Sequence, residues 1–195
     1  MTDIYIADIS TLDIQTALEC VSEYRREKAL RINDELKRRQ SFGAELLLQK
    51  AVGTDYISYC IGENGKPFFP DSDICFSLSH SGVYAVCAVS DCEVGVDIEA
   101  PRANSLKLAK RFFTQSESEA ISSCDDPDKE FCRYWVRKEA YIKAIGKGLA
   151  CPLNSFDAAD RIGDYSAKSI DFGEYCIGIC VKAAECDVRL HEVEI

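Results

Sequence analysis

This 195-residue sequence predicts an α+β fold of two similar lobes, related by a pseudo-twofold axis and facing each other across a cleft. Three observations lead there. Apolar residues recur at helical spacing in some stretches and alternate in others, so both helices and strands are needed. The order repeats: each half has a long helix closed by glycine, a loop, and two or three strands ending in an apolar alternating segment, at 83–89 and again at 175–181. The length is also sufficient for two small lobes with cores of their own. The expected division is 1–92 and 93–195.

Residues 4–9 alternate and predict a short strand. Residues 11–22 and 23–31 are helical in pattern, and the second stretch carries Arg25, Arg26, Lys28 and Arg31. Asp34 is the expected N-cap of a longer helix that runs to Ala51 and stops at Gly53, with Leu36, Phe42, Leu46 and Leu47 on its apolar face. After residues 56–60 and the loop 62–67, residues 74–78 and 83–89 read as strands separated by a polar turn, Ser79-His80-Ser81-Gly82. The second half opens on a strand at 94–98 and a short amphipathic helix at 106–113. Thr114-Gln115-Ser116-Glu117 has the form of a capping box. Asp126-Pro127 starts the long central helix, which Gly146 and Gly148 end. Its expected apolar stripe is Tyr134, Trp135, Tyr141, Ile142 and Ile145, with Glu139 at the edge and Lys143 one turn on. Strand-like segments follow at 169–172, 175–181 and 188–193.

Composition narrows the function. Thirty-three acidic against 23 basic residues give a net charge of −10, which argues against a general nucleic-acid binder. No apolar run approaches a membrane span, and the start has no basic region followed by an apolar core. A cytoplasmic location is expected. The eleven cysteines contain no C-x-x-C pair, so zinc spacing is missing, and their odd number predicts reduced thiols with no assigned chemistry.

Three constellations carry chemistry. Asp97 and Glu99 alternate along one strand and point the same way. Alone they read as an ordinary solvent-facing pair. With Glu139 as a third carboxylate they outline a site for a hard cation, Mg²⁺ over Zn²⁺. Ser79, His80 and Ser81 before Gly82 read either as an anion nest or as a plain polar turn; G-x-S-x-G is absent, which argues against a serine hydrolase. Arg25, Lys28, Arg39 and Lys66 read as a solvated face or, in so acidic a protein, as a pocket for anions. The Gly65-Lys66-Pro67 segment is no P-loop, because Pro67 stands where Ser or Thr would bind the metal. Carboxylates for a cation beside a basic pocket together suggest a polyphosphate ligand.

These residues resemble the signature of the 4′-phosphopantetheinyl transferases, in particular the Sfp-like single-chain class. The resemblance rests on Gly95-Val96-Asp97-Ile98-Glu99 followed by Trp135-x-x-Lys138-Glu139-Ala140-Tyr141-x-Lys143-Ala144-x-Gly146-Lys147-Gly148. Phe76-Ser77-Leu78-Ser79-His80-Ser81 and Gly65-Lys66-Pro67 match two upstream motifs in order. The resemblance implies the two-lobe fold of that family, with the active site in its cleft. It implies transfer of 4′-phosphopantetheine from coenzyme A to a serine of an acyl or peptidyl carrier protein, releasing adenosine 3′,5′-bisphosphate. The cofactor would be Mg²⁺, with Mn²⁺ as substitute, and coenzyme A the co-substrate. Asp97, Glu99 and Glu139 would hold the metal. Lys143 would neutralise the pyrophosphate. Arg25, Lys28, Arg39 and His80 would grip the 3′-phosphate, with Ser79 and Lys66 completing the nucleotide site. Glu139, directly or through a water on the metal, would be the base. Residues 1–92 would then supply the nucleotide contacts and 93–195 the metal and catalytic groups, in a monomer with no nucleic-acid or membrane partner. Arg25 stands where the family has Lys, and the chain is short for this class, its second lobe ending at Ile195. An Mg²⁺ phosphodiesterase or nuclease on the same carboxylates and a non-catalytic nucleotide-binding module are the competing readings.

Overall fold

The computed structural model describes residues 1–195, apart from the side chain of Leu149. The first half runs β1 (Thr2–Asp8), α1 (Ile14–Cys20), α2 (Glu23–Leu30), α3 (Glu35–Val52), β2 (Cys60–Ile61), β3 (Pro67–Phe68), β4 (Cys75–Ser81) and β5 (Tyr84–Ser90). The second runs β6 (Val94–Glu99), α4 (Ser105–Phe112), α5 (Gln115–Ser122), α6 (Pro127–Ile145), β7 (Arg161–Ile162), β8 (Tyr165–Phe172), β9 (Tyr175–Val181) and β10 (Val188–Glu192). Mixed α+β is thus what forms. None of the described helices is long and apolar enough to cross a membrane.

Helix ends follow local chemistry. Asp34 accepts from the Lys37 amide to open α3, and Gly53, in the left-handed conformation, closes it. Thr114 and Glu117 form the reciprocal capping box of α5, and Asp126 with Pro127 opens α6. Two four-stranded sheets result, in the orders β10-β1-β5-β4 and β6-β9-β8-β7. All neighbouring pairs are antiparallel except β1 with β10, where Ile4 lies opposite Leu190. The last strand therefore returns to the sheet built by the first half.

The cores give the layer order. Phe42, Leu47 and Leu48 of α3 pack on Ala85, Cys87 and Phe76. The opposite face of that sheet, through Ile4, Ile6, Val86 and Ala88, meets Val96, Ile98, Ile177 and Ile179 of the second sheet. Each valine, leucine, isoleucine or phenylalanine among them, taken fully out of water, contributes about 1.5–3 kcal/mol. On the far side, α6 lies across β6 and β9.

That last contact corrects the expected apolar stripe of α6. The buried line is Cys132, Val136, Ala140 and Ala144, four residues apart, while Tyr134, Trp135, Tyr141 and Ile145 flank it half-exposed; Ile142 is buried as expected. The reason is closeness. A methyl group at Gly95 would collide with the Ala140 carbonyl oxygen and the Ala144 nitrogen, and one at Gly178 would sit 2.8 Å from the Arg137 nitrogen. Small residues on the helix and glycines on the strands let the two backbones touch, which large aromatics would prevent.

Residues 79–82 also differ from expectation. Ser79, His80 and Ser81 continue β4 rather than forming a turn, and only Gly82 and Val83 lie in the bend. With strand geometry, the side chains of Ser77, Ser79 and Ser81 share one face. They stitch β4 to β6: the Ser77 hydroxyl accepts from the Val96 amide at 3.0 Å, Ser79 donates to Asp97 at 2.7 Å, and Ser81 donates to Glu99 at 2.9 Å.

Candidate active site

Asp97 and Glu99 do project to one side of β6, but not into solvent. Asp97 is only 6% exposed and Glu99 is half-buried. Lys143 reaches from α6 to donate to Asp97 Oδ1 at 2.7 Å and to the Val96 carbonyl at 3.0 Å. Glu99 pairs with Arg102 at 3.0 Å. Glu139, one turn before Lys143, has no hydrogen-bonding or ionic partner among the described residues, and Lys143 turns to Asp97 rather than to it. Burial pushes the Glu139 carboxyl above its ordinary pKa, Asp97 and Glu99 add to the rise, and Lys143 opposes it. Among the described residues, no three acidic, cysteine or histidine side chains are gathered closely enough to hold a metal ion as they stand.

Lys143 lies at a junction. On one side is a cavity of about 250 Å³, walled by Arg25, Lys28, Ser79 and His80. On the other is a cavity of about 670 Å³, mostly apolar, walled by Phe76, Phe112, Trp135, Ile142 and Leu153, with Glu139 on its lining. Gly65, Pro67, Leu78 and Lys143 line both. A ligand with an anionic end and an uncharged arm would fit this pair, with its charged middle at Lys143. In the smaller cavity, desolvation lowers the His80 pKa and the Lys143 ammonium lowers it further, so the free imidazole is neutral at neutral pH. Ligand charge would reverse that.

Comparison with known proteins decides the family. The family model for the 4′-phosphopantetheinyl transferase superfamily matches residues 93–185. A 4′-phosphopantetheinyl transferase of Bacillus subtilis is 34% identical over 164 residues, covering 79% of this chain and 72% of that protein. The 4′-phosphopantetheinyl transferase Sfp of Bacillus subtilis strain 168 is 30% identical over 183 residues, covering 89% of this chain and 78% of the other. A third relative, ffp of Bacillus subtilis, is 30% identical over 188 residues, 92% of this chain and 83% of its own. The chain belongs to the 4′-phosphopantetheinyl transferase superfamily. It is accordingly a transferase of the phosphopantetheine group.

Within this phosphopantetheinyl transferase, the structure gathers Arg25, Lys28, Ser79, His80 and Lys143 at one cavity. It does not bring Arg39 there. The Arg39 guanidinium donates to the Leu12 carbonyl at 3.0 Å and pairs with Glu35 at 2.7 Å, on the side of α3 that faces the start of α1. Lys66 lines the larger cavity instead, and its ammonium donates to the carbonyls of Ala144 at 2.7 Å and Val94 at 3.1 Å, tying α6 to β6. Burial lowers its pKa.

Two buried acids form ion pairs that sequence reasoning did not anticipate. Glu45 of α3 holds Arg25. Glu117 forms a buried ion pair with Lys138 at 2.8 Å, and Lys138 also donates to the carbonyls of Leu153 and Phe156. Glu117 was legible as a helix cap, and Lys138 as a motif residue, but nothing in their spacing joins them. Arg111 and Phe112 on the cavity wall carried no signal beyond an amphipathic pattern.

Proposed function

We propose that this transferase moves 4′-phosphopantetheine from coenzyme A to a serine hydroxyl of an acyl or peptidyl carrier protein, releasing adenosine 3′,5′-bisphosphate. The observation that carries this reading is Lys143, placed where a basic cavity meets an apolar one, bonded to Asp97 and sharing the apolar cavity's lining with Glu139. The basic cavity suits the 3′-phosphate, which Arg25, Lys28 and His80 would contact. The apolar cavity suits the pantetheine arm. The pyrophosphate between them falls at Lys143.

The donor set fits a divalent cation. Asp97, Glu99 and Glu139 offer only oxygen, and Glu139 is destabilised as an anion by burial and by the other two, a cost that a cation would remove. These three residues would hold Mg²⁺, or Mn²⁺ in its place, which when bound supplies charge neutralisation at the pyrophosphate. The chain's own groups do the rest. Glu139 takes the proton of the carrier serine as its Oγ attacks the phosphorus on the pantetheine side. The bond from that phosphorus to the bridging oxygen breaks, and its electron pair leaves with the adenosine bisphosphate. Lys143 faces the charge that develops there, the kind of fixed electrostatic contribution that dominates phosphoryl-type transfer. Trp135, Phe112 and Leu153 exclude water from the arm.

A carrier protein with an acidic face would suit α4. Lys107, Lys110 and Arg111 are exposed there, beside Leu108 and Phe112, and Arg111 with Phe112 forms the rim of the apolar cavity. A division into lobes 1–92 and 93–195 about a pseudo-twofold axis, with this junction in their cleft, accords with the two sheets, β10 excepted. The enzyme is proposed to act as a monomer.

Intact-mass spectrometry of an apo carrier protein incubated with coenzyme A and Mg²⁺ tests the reading. The expected result is one phosphopantetheine added, dependent on the cation and lost in Glu139→Ala. Coenzyme A binding with no addition on acyl or peptidyl carriers would overturn it.

A further inference from the structure

The basic cavity is not built from basic residues alone. Glu45, on α3, is fully buried at 0% exposure, yet it carries a carboxylate that never reaches the cavity wall. Its hydrogen bonds go to the start of the helix that holds Arg25 and Lys28, and to Tyr59. Oε1 accepts from the Ser22 amide at 2.5 Å, and Oε2 accepts from the Ser22 hydroxyl at 3.1 Å, Arg25 Nε at 3.2 Å and the Tyr59 hydroxyl at 2.6 Å. The Tyr59 hydroxyl oxygen in turn accepts from Arg25 Nη2 at 3.2 Å. Ser22 is the N-cap of α2, so one carboxylate fixes both where α2 begins and how the Arg25 guanidinium is turned. Arg25 and Lys28 stand three residues apart and share a helix face.

A buried ion pair of this kind is poor evidence for stability, because desolvation offsets most of its attraction. Orientation is what it supplies. An arginine left free on α2 would sample many rotamers, whereas here Nε and Nη2 are held, and the side chain lines the cavity together with Lys28 and His80. We infer that Glu45, with Tyr59 as second support, is a positioning residue that presents Arg25 to the terminal phosphate monoester of the co-substrate, and thereby sets the preference for a 3′-phosphorylated nucleotide over the unphosphorylated one. The inference rests on the proposed use of coenzyme A.

Two effects of Glu45 oppose each other, which makes the test sharp. Its negative charge near the cavity repels a phosphate. Its hydrogen bonds order the guanidinium that attracts one. If orientation dominates, removing the carboxylate weakens phosphate recognition; if charge dominates, removal strengthens it.

The experiment is calorimetric titration of the purified full chain with coenzyme A and with 3′-dephospho-coenzyme A, for the native protein, Glu45→Gln and Tyr59→Phe. Native protein is expected to bind coenzyme A the more tightly. Both variants should shrink the ratio of the two affinities by about tenfold for Glu45→Gln and less for Tyr59→Phe, with the dephospho-ligand nearly unaffected. A purely structural role would weaken both ligands alike and keep the ratio, which overturns the inference, as does a widened ratio. If Glu45→Gln does not fold, Tyr59→Phe, which keeps the ring and removes one hydroxyl, gives the answer alone. Native protein that binds both ligands equally would refute the inference while leaving phosphopantetheine transfer standing. Failure to bind either ligand would refute both.

Discussion

Replacing Gly95 by alanine adds one methyl group to β6 and should disable the enzyme without touching a charged residue. The added carbon has nowhere to go. It would meet the Ala140 carbonyl oxygen and the Ala144 nitrogen well inside contact distance, and the Ala140 carbonyl carbon at 3.0 Å. These are backbone atoms of α6, so no side-chain rotation relieves the clash. An ordinary carbon–oxygen contact needs about 3.3 Å, and the shortfall exceeds an ångström. The helix must retreat by roughly that much at the turn that carries Glu139 and Lys143. Overpacking of this sort costs about 1–3 kcal/mol, which at about 2–4 °C per kcal/mol for a chain of this size lowers Tm by about 2–12 °C. Misplacing catalytic groups by about 1 Å costs on the order of 100-fold in rate. Differential scanning calorimetry and carrier modification rates measure the two effects separately. A Gly95→Ala protein with unchanged Tm and a rate within twofold of native would refute the close-packing argument.

Further outcomes follow from the same geometry. Lys138→Met leaves Glu117 charged and buried, since the lysine is 0% exposed, and should cost about 3–5 kcal/mol by urea unfolding; an added Glu117→Gln should recover part of that loss. Arg133 and Lys129 hold the Asp171 carboxyl down at about 2. Because that pKa is depressed on folding, the pair contributes stability above about pH 4 and loses it as pH falls toward 2, so Asp171→Asn should flatten the acid limb of a Tm-against-pH curve there. His80 should titrate below the usual histidine value in an NMR pH series of the free protein. Lys143→Met should move it only part of the way back, because desolvation is the larger cause and remains.

How much of this could be read from the sequence depended on distance along the chain. Helix ends at Asp34, Gly53, Thr114, Asp126 and Gly146 were legible because a cap is a contact over three or four residues. The Ser79-His80-Ser81 stretch misled because serine and histidine look like turn residues; only the facing strand β6, 18 residues away, shows that those serines hold Asp97 and Glu99. The buried face of α6 was invisible for a similar reason. Val136, Ala140 and Ala144 are smaller than tryptophan and tyrosine and offer less apolar area, and their selection makes sense only against Gly95 and Gly178.

The site divided the same way. Asp97, Glu99, Glu139 and Lys143 were marked out by motif spacing. Arg25 and Lys28 could be distinguished from Arg39 only once the fold carried α2 to the cavity wall and turned Arg39 of α3 toward the Leu12 carbonyl. Lys66 was expected beside a nucleotide, but its ammonium closes the backbone joint between α6 and β6. A basic residue's partner is a property of the fold, and charge alone does not reveal it.

The measurement that tests the central claim most directly is the stoichiometry of product release. Purified protein, coenzyme A and Mg²⁺ would be incubated with and without an apo carrier, and adenosine 3′,5′-bisphosphate counted against modified carrier serine. Group transfer through Glu139 and Lys143 predicts one nucleotide released per serine modified and none without the carrier. Nucleotide release that proceeds equally well without the carrier would mark the site as a hydrolase and contradict the account.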